Sequence, residues 1–227
     1  MPEAHAVLAI TMAATSLIGL ARRLPAQNVV TAAAIITSIS LCILAFGRQT
    51  GIPFGAFDFA RAVEFRVLGV PPVLPIYWTA LAICARGFAR LPLRPWRKTN
   101  HYGYWMIALS LIIVLFIVTS AEPVLGERAH YWIWKTKPRS WTWHGMPWSN
   151  WLGCAVSFFA IYLFATPWLI NKQPVKQPVD WHPMLMVILL EIYFAAANLQ
   201  AGNGGAAAMG SCGMIILVFF AIRGGRW

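Results

Sequence analysis

Seven apolar stretches limit what this chain can fold into: residues 4–20, 29–46, 68–85, 104–121, 152–170, 183–200 and 206–222. A helix needs about 20 apolar residues to cross the hydrocarbon of a bilayer, with about 17–25 tolerated. In lipid every backbone N–H and C=O must find a partner within the segment itself, so spans of this length read as α-helices. The expected fold is all-α: a polytopic membrane helix bundle of about seven transmembrane helices, one integral membrane domain over residues 1–227. The third stretch opens on Pro71, Pro72 and Pro75, which the first turn of a helix tolerates because its N–H groups lack intrahelical partners. The first, Ala4 to Leu20, lacks a basic region before it, and Arg22 and Arg23 follow where a cleaved leader would carry small residues. It reads as a retained helix.

Charge supports the same class. Of 227 residues, 59% are hydrophobic and only 11% charged, too little polar surface to cover a soluble core of this size. The net charge of +11 is carried in short clusters between apolar runs. That pattern suits topology signals and anionic headgroups, not the continuous basic face that nucleic acid requires. The partner expected is thus the lipid bilayer, and no nucleic acid. If the helices alternate, one membrane face receives Arg22, Arg23, Arg86, Arg90, Arg94, Arg97, Lys98, Lys172, Lys176, Arg223 and Arg226, eleven basic residues. The other receives Arg48, Arg61, Arg66, Arg128, Lys135, Lys137 and Arg139, which is seven. The positive-inside rule then expects an inner (plasma) membrane protein with the N-terminus outside and the C-terminus cytoplasmic. The second face also gathers the longest connections, 47–67 and 122–151, and loops on a rigid scaffold are where function tends to reside.

Each polar motif has a structural reading beside its functional one. Gly47 to Phe59, GRQTGIPFGAFDF, has the glycines and proline of a tight non-helical path, with Asp58 between aromatics and Arg48, Arg61, Glu64 and Arg66 near it; the plainer reading is a turn with a solvated acid. Six of the twelve tryptophans fall between positions 132 and 151. An aromatic belt at the headgroups accounts for them, but not for the packed run His144 to Trp151, in which Ser149 or Asn150 reads as an N-cap. Tryptophan walls also hold polyenes and stabilise cations through their π faces. Glu191 lies in the middle of an apolar helix, where a carboxylate is costly and faces the bundle interior. Asn198, seven residues on, shares its face; the alternative for both is a helix–helix hydrogen bond. Glu122 precedes Pro123 at the end of the fourth stretch, as a boundary residue or an acid held at the membrane edge. His144 is a proton-shuttle candidate by its ordinary pKa of about 6.5, or a structural histidine. Cys42, Cys84, Cys154 and Cys212 lie within apolar runs, form no CxxC pair and sit near no histidine at ligand spacing, so no metal site is expected.

Two of these motifs resemble one family. The segment GRQTGIPFGAFDFARAVEFRVLGVPPVLPIYW is similar to the G-x-x-x-G-x-P-F-G-x-Y-x-Y … L-G-V-P-x-x-x-P-x-x-W signature of the membrane carotenoid-biosynthesis proteins. That family includes carotenoid 1,2-hydratases of the bisanhydrobacterioruberin hydratase and γ-carotene hydroxylase type. The segment YWIW…WHGMPWSNWLG resembles its second signature, W-x-W … Y-x-G-V-P-x-S-N-F-x-G-W. Four positions depart from the pattern. Leu44 stands where the family carries a glutamate before the first glycine, Phe57 and Phe59 replace tyrosines, and Glu122-Pro123 replaces Asp-Pro.

The resemblance implies cofactor-independent hydration, by a hydro-lyase, of the terminal 1,2 double bond at the ψ-end of an acyclic or monocyclic carotenoid. An acid protonates the less substituted carbon, a tertiary carbocation forms and water adds, a sequence that needs no cofactor and no metal. The acid must be protonated near neutral pH, aromatic faces steady the cation, and a polar group places the water. The expected catalytic set is Asp58 first, with Glu122, Glu191 and His144. Substrate-binding groups are expected among Phe54, Phe57, Trp132, Trp134, Trp148, Ser149 and Asn150. The other class of function is a non-catalytic carotenoid-binding or structural subunit working with membrane-protein partners, motivated by Leu44, Phe57 and Phe59. A small-solute transporter, suggested by Glu191 and Asn198, lacks the paired broken helices such proteins use.

Overall fold

The computed structural model describes residues 2–60, 65–135, 141–170 and 178–226, with side chains from residue 6 onward. Arg61, Glu64, Lys137, Arg139, Lys172 and Lys176, named above, lie outside the described residues. Each of the seven apolar stretches forms a helix: α1 (Pro2–Ala21), α2 (Ala26–Thr50), α3 (Val73–Ala89), α4 (Tyr102–Glu122), α5 (Ser149–Ala165), α6 (His182–Gln200) and α7 (Gly204–Gly225). The chain is an all-α membrane helix bundle. Among the described residues five helical stretches are long and apolar enough to cross a bilayer: Ala26–Thr50, Tyr102–Arg128, Ser149–Trp168, His182–Gln200 and Gly204–Gly225. The apolar stretches Ala6–Ala21 and Val73–Ala89 are shorter.

The polar residues lie on the inside of the bundle and large apolar side chains cover its outside. Ser40, Thr79, Ser110, Thr119, Ser120, Glu122, Ser157, Glu191 and Asn198 are buried, whereas Leu163, Phe164, Leu189, Ile192, Ile215, Ile216 and Phe219 are exposed. A water-soluble fold of this size does not expose so many large apolar side chains; a bilayer accepts them. Helix α3 is the axis. It packs against α1, α2, α4 and α6, and Thr79 through Ala85 are all buried. Its small residues Ala80, Ala82, Ala85 and Ala89 let neighbouring backbones approach, the usual means of helix association in lipid.

Helix α3 begins five residues later than the 68–85 stretch expected from hydropathy. Leu68 and Gly69 both adopt positive φ, and a Val67–Val70 bridge closes a tight turn there. Pro71 and Pro72 follow, and the helix opens only after them. At its other end α4 continues past Glu122 into a π-helical turn, Pro123–Arg128.

The two long motif loops meet. Strand β1 (Phe57–Phe59) from the first pairs antiparallel with β2 (Trp132–Trp134) from the second, with Phe57 opposite Trp134, Asp58 opposite Ile133 and Phe59 opposite Trp132. Two short strands, β3 (Thr142–Trp143) and β4 (Met146–Pro147), form a hairpin just before α5. The gathering of polar motifs at one end of the bundle, expected from alternation of the helices, is therefore a direct contact.

Candidate functional site

Side chains alternate across a strand, so pairing β1 with β2 sorts this ribbon into two faces. Phe57, Phe59, Trp132 and Trp134 turn inward and line a cavity at the end of the bundle. Asp58 and Ile133 turn the other way. The cavity is partly enclosed, with a wall that is mostly apolar and a mouth open to the outside. Leu44 of α2, Tyr77 and Trp78 of α3, and Asn150 and Phe158 of α5 complete much of its wall. Rings dominate it: Phe57 and Trp134 sit with centroids 5.3 Å apart, Phe54 meets Trp78 edge-on at 6.0 Å, and Trp78 lies 4.9 Å from Phe158.

One carboxyl enters this apolar cavity. Glu122, on the last turn of α4, is 2% exposed and lines it. Its Oε1 accepts hydrogen bonds from two indoles, Trp132 Nε1 at 2.8 Å and Trp134 Nε1. Adjacent alternate positions on β2 supply both donors, which is why a W-x-W pattern is needed here. Gly126 of the π-helical turn leaves the room: a Cβ at that position would meet Glu122 Oε1 and Trp132 Nε1.

The rest of the second loop is anchored one turn earlier on the same helix. Trp143 Nε1 donates to the Thr119 carbonyl at 3.2 Å, and Trp151 Nε1 donates to Thr119 Oγ1 at 3.1 Å. Four indole N–H groups thus converge on the end of α4, two on Thr119 and two on Glu122. An aromatic belt alone gives no reason for that convergence. The first loop is pinned through Phe54, whose ring fills the gap between Gly47 of α2 and Gly153 of α5; a Cβ at either glycine would collide with it.

Asp58 is not in the cavity. Its Oδ1 accepts from Arg48 Nε at 2.9 Å and from the Phe59 N–H at 2.9 Å, Lys135 Nζ lies 4.0 Å from its other oxygen, and its side chain is 41% exposed. The Arg48 hydrogen bond holds its carboxyl below the usual aspartate range. It is an ionised acid on the outer face of the ribbon, and geometry removes the basis for ranking it first. His144 also lies apart: its Nδ1 is 3.5 Å from Glu127 Oε2, and its ring stands edge-on to Trp143. Trp148 is exposed and lines a lateral apolar groove with Trp141, Trp151 and Leu152.

Ser149 and Asn150 do not cap α5 as expected. Trp148 occupies the cap position and no side chain bonds there. Ser149 Oγ is spent on the Phe54 carbonyl, 2.9 Å away, which ties the two loops together. Asn150 Nδ2 donates to Met146 Sδ at 2.8 Å, and its Oδ1 takes only a long thiol contact, 3.8 Å from Cys154 Sγ. Of the two, only Asn150 lines the cavity.

Glu191 and Asn198 do share one face of α6, buried against α4. Ser120 Oγ donates to Glu191 Oε1 at 2.8 Å, and Asn198 Nδ2 donates to the Ser120 carbonyl at 2.7 Å. Glu191 lines none of the cavity walls around Glu122. The structure therefore brings together Glu122, Phe54, Phe57, Trp132, Trp134 and Asn150, and leaves Asp58, Glu191, His144, Trp148 and Ser149 outside. Sequence reasoning missed Trp78, Tyr77, Phe59 and Phe158 as wall residues. Of these, Phe59 and Trp78 fall on positions of the first quoted signature, whereas Tyr77 and Phe158 carried no signal.

The site is an aromatic-walled, acid-bearing cavity at one end of a membrane helix bundle, and the class is that of an integral membrane protein. The chain belongs to the carotenoid biosynthesis protein family, whose model matches residues 3–219. No protein of curated function and no solved structure matches it.

Proposed function

We propose that this member of the carotenoid biosynthesis family hydrates the terminal 1,2 double bond of a carotenoid ψ-end, with Glu122 as the acid. The observation that carries the reading is the burial of one carboxyl among aromatic rings, with both indole donors on a single oxygen. Indole N–H groups only donate, so Oε1 takes the role of the carbonyl oxygen and the transferable proton sits on Oε2. That proton passes to C2 of the C1=C2 bond, the π pair forms the new C–H bond, and a tertiary cation is left at C1. The faces of Phe57, Phe59, Trp78 and Trp134 steady it. Water held at Asn150 Oδ1 forms the C–O bond to C1, and its released proton returns to Glu122. The balance is alkene plus water to tertiary alcohol, with no redox change and no cofactor called for.

The carotenoid enters from the bilayer, and we place the ribbon end outside, with the C-terminus cytoplasmic, in the inner (plasma) membrane. The test is pigment analysis of a host accumulating a lycopene-type carotenoid, with the wild-type chain, with Glu122→Gln, and without either. Glutamine keeps an oxygen for both indoles and loses the acid proton. Hydroxylated product from the wild type alone is the expected result; equal product from Glu122→Gln would sink the assignment.

A second reading has its own observation. Leu44, Phe57 and Phe59, the positions where the chain departs from the family pattern toward apolar side chains, all line this one cavity. A pigment-binding subunit of a membrane complex, without chemistry, would show that clustering. Wild-type protein that co-purifies with unmodified pigment and yields no alcohol on incubation would favour it.

A further inference from the structure

The opposite end of the bundle holds a second cleft that the hydration chemistry does not use. It lies where the ends of α1 and α3 meet the start of α6, and its lining includes Arg23, Arg86, Arg90, Asp180 and His182. Three guanidinium groups face a single carboxylate. Asp180 is committed to Arg23, whose Nε lies 3.0 Å from its Oδ2. Arg86 is half-buried, and the bond found for it is a long one, 3.4 Å from its Nη1 to Thr166 Oγ1. Among the described residues no carboxylate lies within ion-pair reach of Arg86 or Arg90. By sequence, the loops and C-terminus at this end carry one acid, Asp180, so the rest of the chain offers little to neutralise them.

Holding a guanidinium part-way into apolar surroundings without a counter-charge is unfavourable. An arginine kept only to report topology would extend to water. Arg86 and Arg90 are four residues apart and therefore neighbours on one face of α3, facing the Arg23–Asp180 pair. Glycines keep the cleft open: a Cβ at Gly19 would press on His182, and one at Gly87 on Pro183.

We infer that the cleft formed by Arg23, Arg86, Arg90 and His182 binds a phosphate group. Forked guanidinium donors match phosphate oxygens in pairs, and the cleft lies at the bundle end, where bilayer phosphates also lie. The phosphate has two sources, an anionic phospholipid headgroup reached sideways from the bilayer or a soluble phosphate reached from the aqueous side.

The experiment separates them. In one arm, purified full-length protein is released from mixed phosphatidylglycerol and phosphatidylcholine micelles and retained lipid is read by native mass spectrometry. In the other, the thermal midpoint is measured in phosphatidylcholine nanodiscs with inorganic phosphate or chloride. Preferential retention of phosphatidylglycerol assigns the lipid source; a midpoint raised by phosphate over chloride assigns the soluble one. In the responding arm, Arg86→Gln and Arg90→Gln should each weaken binding about tenfold, the scale of one lost charge-assisted hydrogen bond. Arg90 is exposed, so its variant tests the site even if Arg86→Gln fails to fold. Arg97→Gln removes the same charge outside the cleft and should change nothing. No preference in either arm overturns the inference, and so does an equal loss in Arg97→Gln, which would reduce the effect to bulk charge.

Discussion

Among the described residues two glutamates are buried, at 2% and 3% exposure, and the last turn of α4 serves both, through Glu122 itself and through Ser120. Glu122 reaches a cavity, with two indoles fixed on one oxygen. Glu191 reaches the seam between α4 and α6, bonded through Oε1 to Ser120 and closed over by Gly210 of α7, where a Cβ would overlap both Ser120 Oγ and Glu191 Oε1. Among the described residues its Oε2 has no hydrogen-bond partner. Burial alone does not make a carboxyl reactive. On the proposed function, the cavity beside Glu122 is what separates an acid placed for chemistry from a helix–helix fastener.

The largest expected effect breaks or upholds that contrast directly. Glu122→Gln should lower hydrated product about 100-fold or more, the loss expected when a general acid is removed. Glu191→Gln keeps an acceptor for Ser120 and should stay within about threefold of wild type. Product measured per unit of membrane protein decides it, and a Glu191→Gln loss as deep as that of Glu122→Gln would erase the distinction.

Glycine variants sharpen it from the packing side. Gly210→Ala forces side chains apart in the seam and should cost about 1–3 kcal/mol of stability, read as thermal unfolding in detergent, with activity per folded molecule kept. Gly126→Ala strikes the carboxyl and its indole donor instead, so product should fall more than stability does. The reverse pattern would place the working acid in the seam.

The helices were legible because the bilayer imposes one length and one composition on them, and all seven stretches became helices. What hydropathy could not locate was the start of α3, since Leu68 to Pro72 are as apolar as a span yet form a turn through positive φ at Leu68 and Gly69. The site was half legible. Glu122 was visible as an edge acid and the W-x-W pair as aromatic. Their hydrogen bonds depend on a strand register between segments some 75 residues apart, Phe57 opposite Trp134, which no local pattern carries. The same register explains why Asp58 looked best in sequence. It sits among ring residues that turn inward, and alternation turns it outward.

The tryptophans divide the same way. Trp134→Phe removes a donor from Glu122 and should lower product about tenfold, the scale of one hydrogen bond to a reacting group. Trp143→Phe removes a donor from the Thr119 carbonyl, away from the acid, and should cost less than about threefold. Rates measured in isolated membranes with equal pigment loading check both, and equal effects would mean that the indoles serve only to fasten the loop.

The smallest effect belongs to Asp58. Its carboxyl is held below the ordinary aspartate range by Arg48, so the pair stabilises the ribbon at pH values above the unfolded pKa of about 3.9 and loses that contribution as pH falls through the lower folded value. With a side chain 41% exposed, the contribution is that of a surface pair, at most about 1 kcal/mol. Asp58→Asn should leave product within about twofold, and its small stability deficit near neutral pH should close as pH falls through the lowered folded pKa of Asp58. Denaturation followed across that range, alongside product at neutral pH, tests both halves. A collapse of product in Asp58→Asn with unchanged stability would move the acid to the outer face of the ribbon and reverse the reading of which side of β1 does the work.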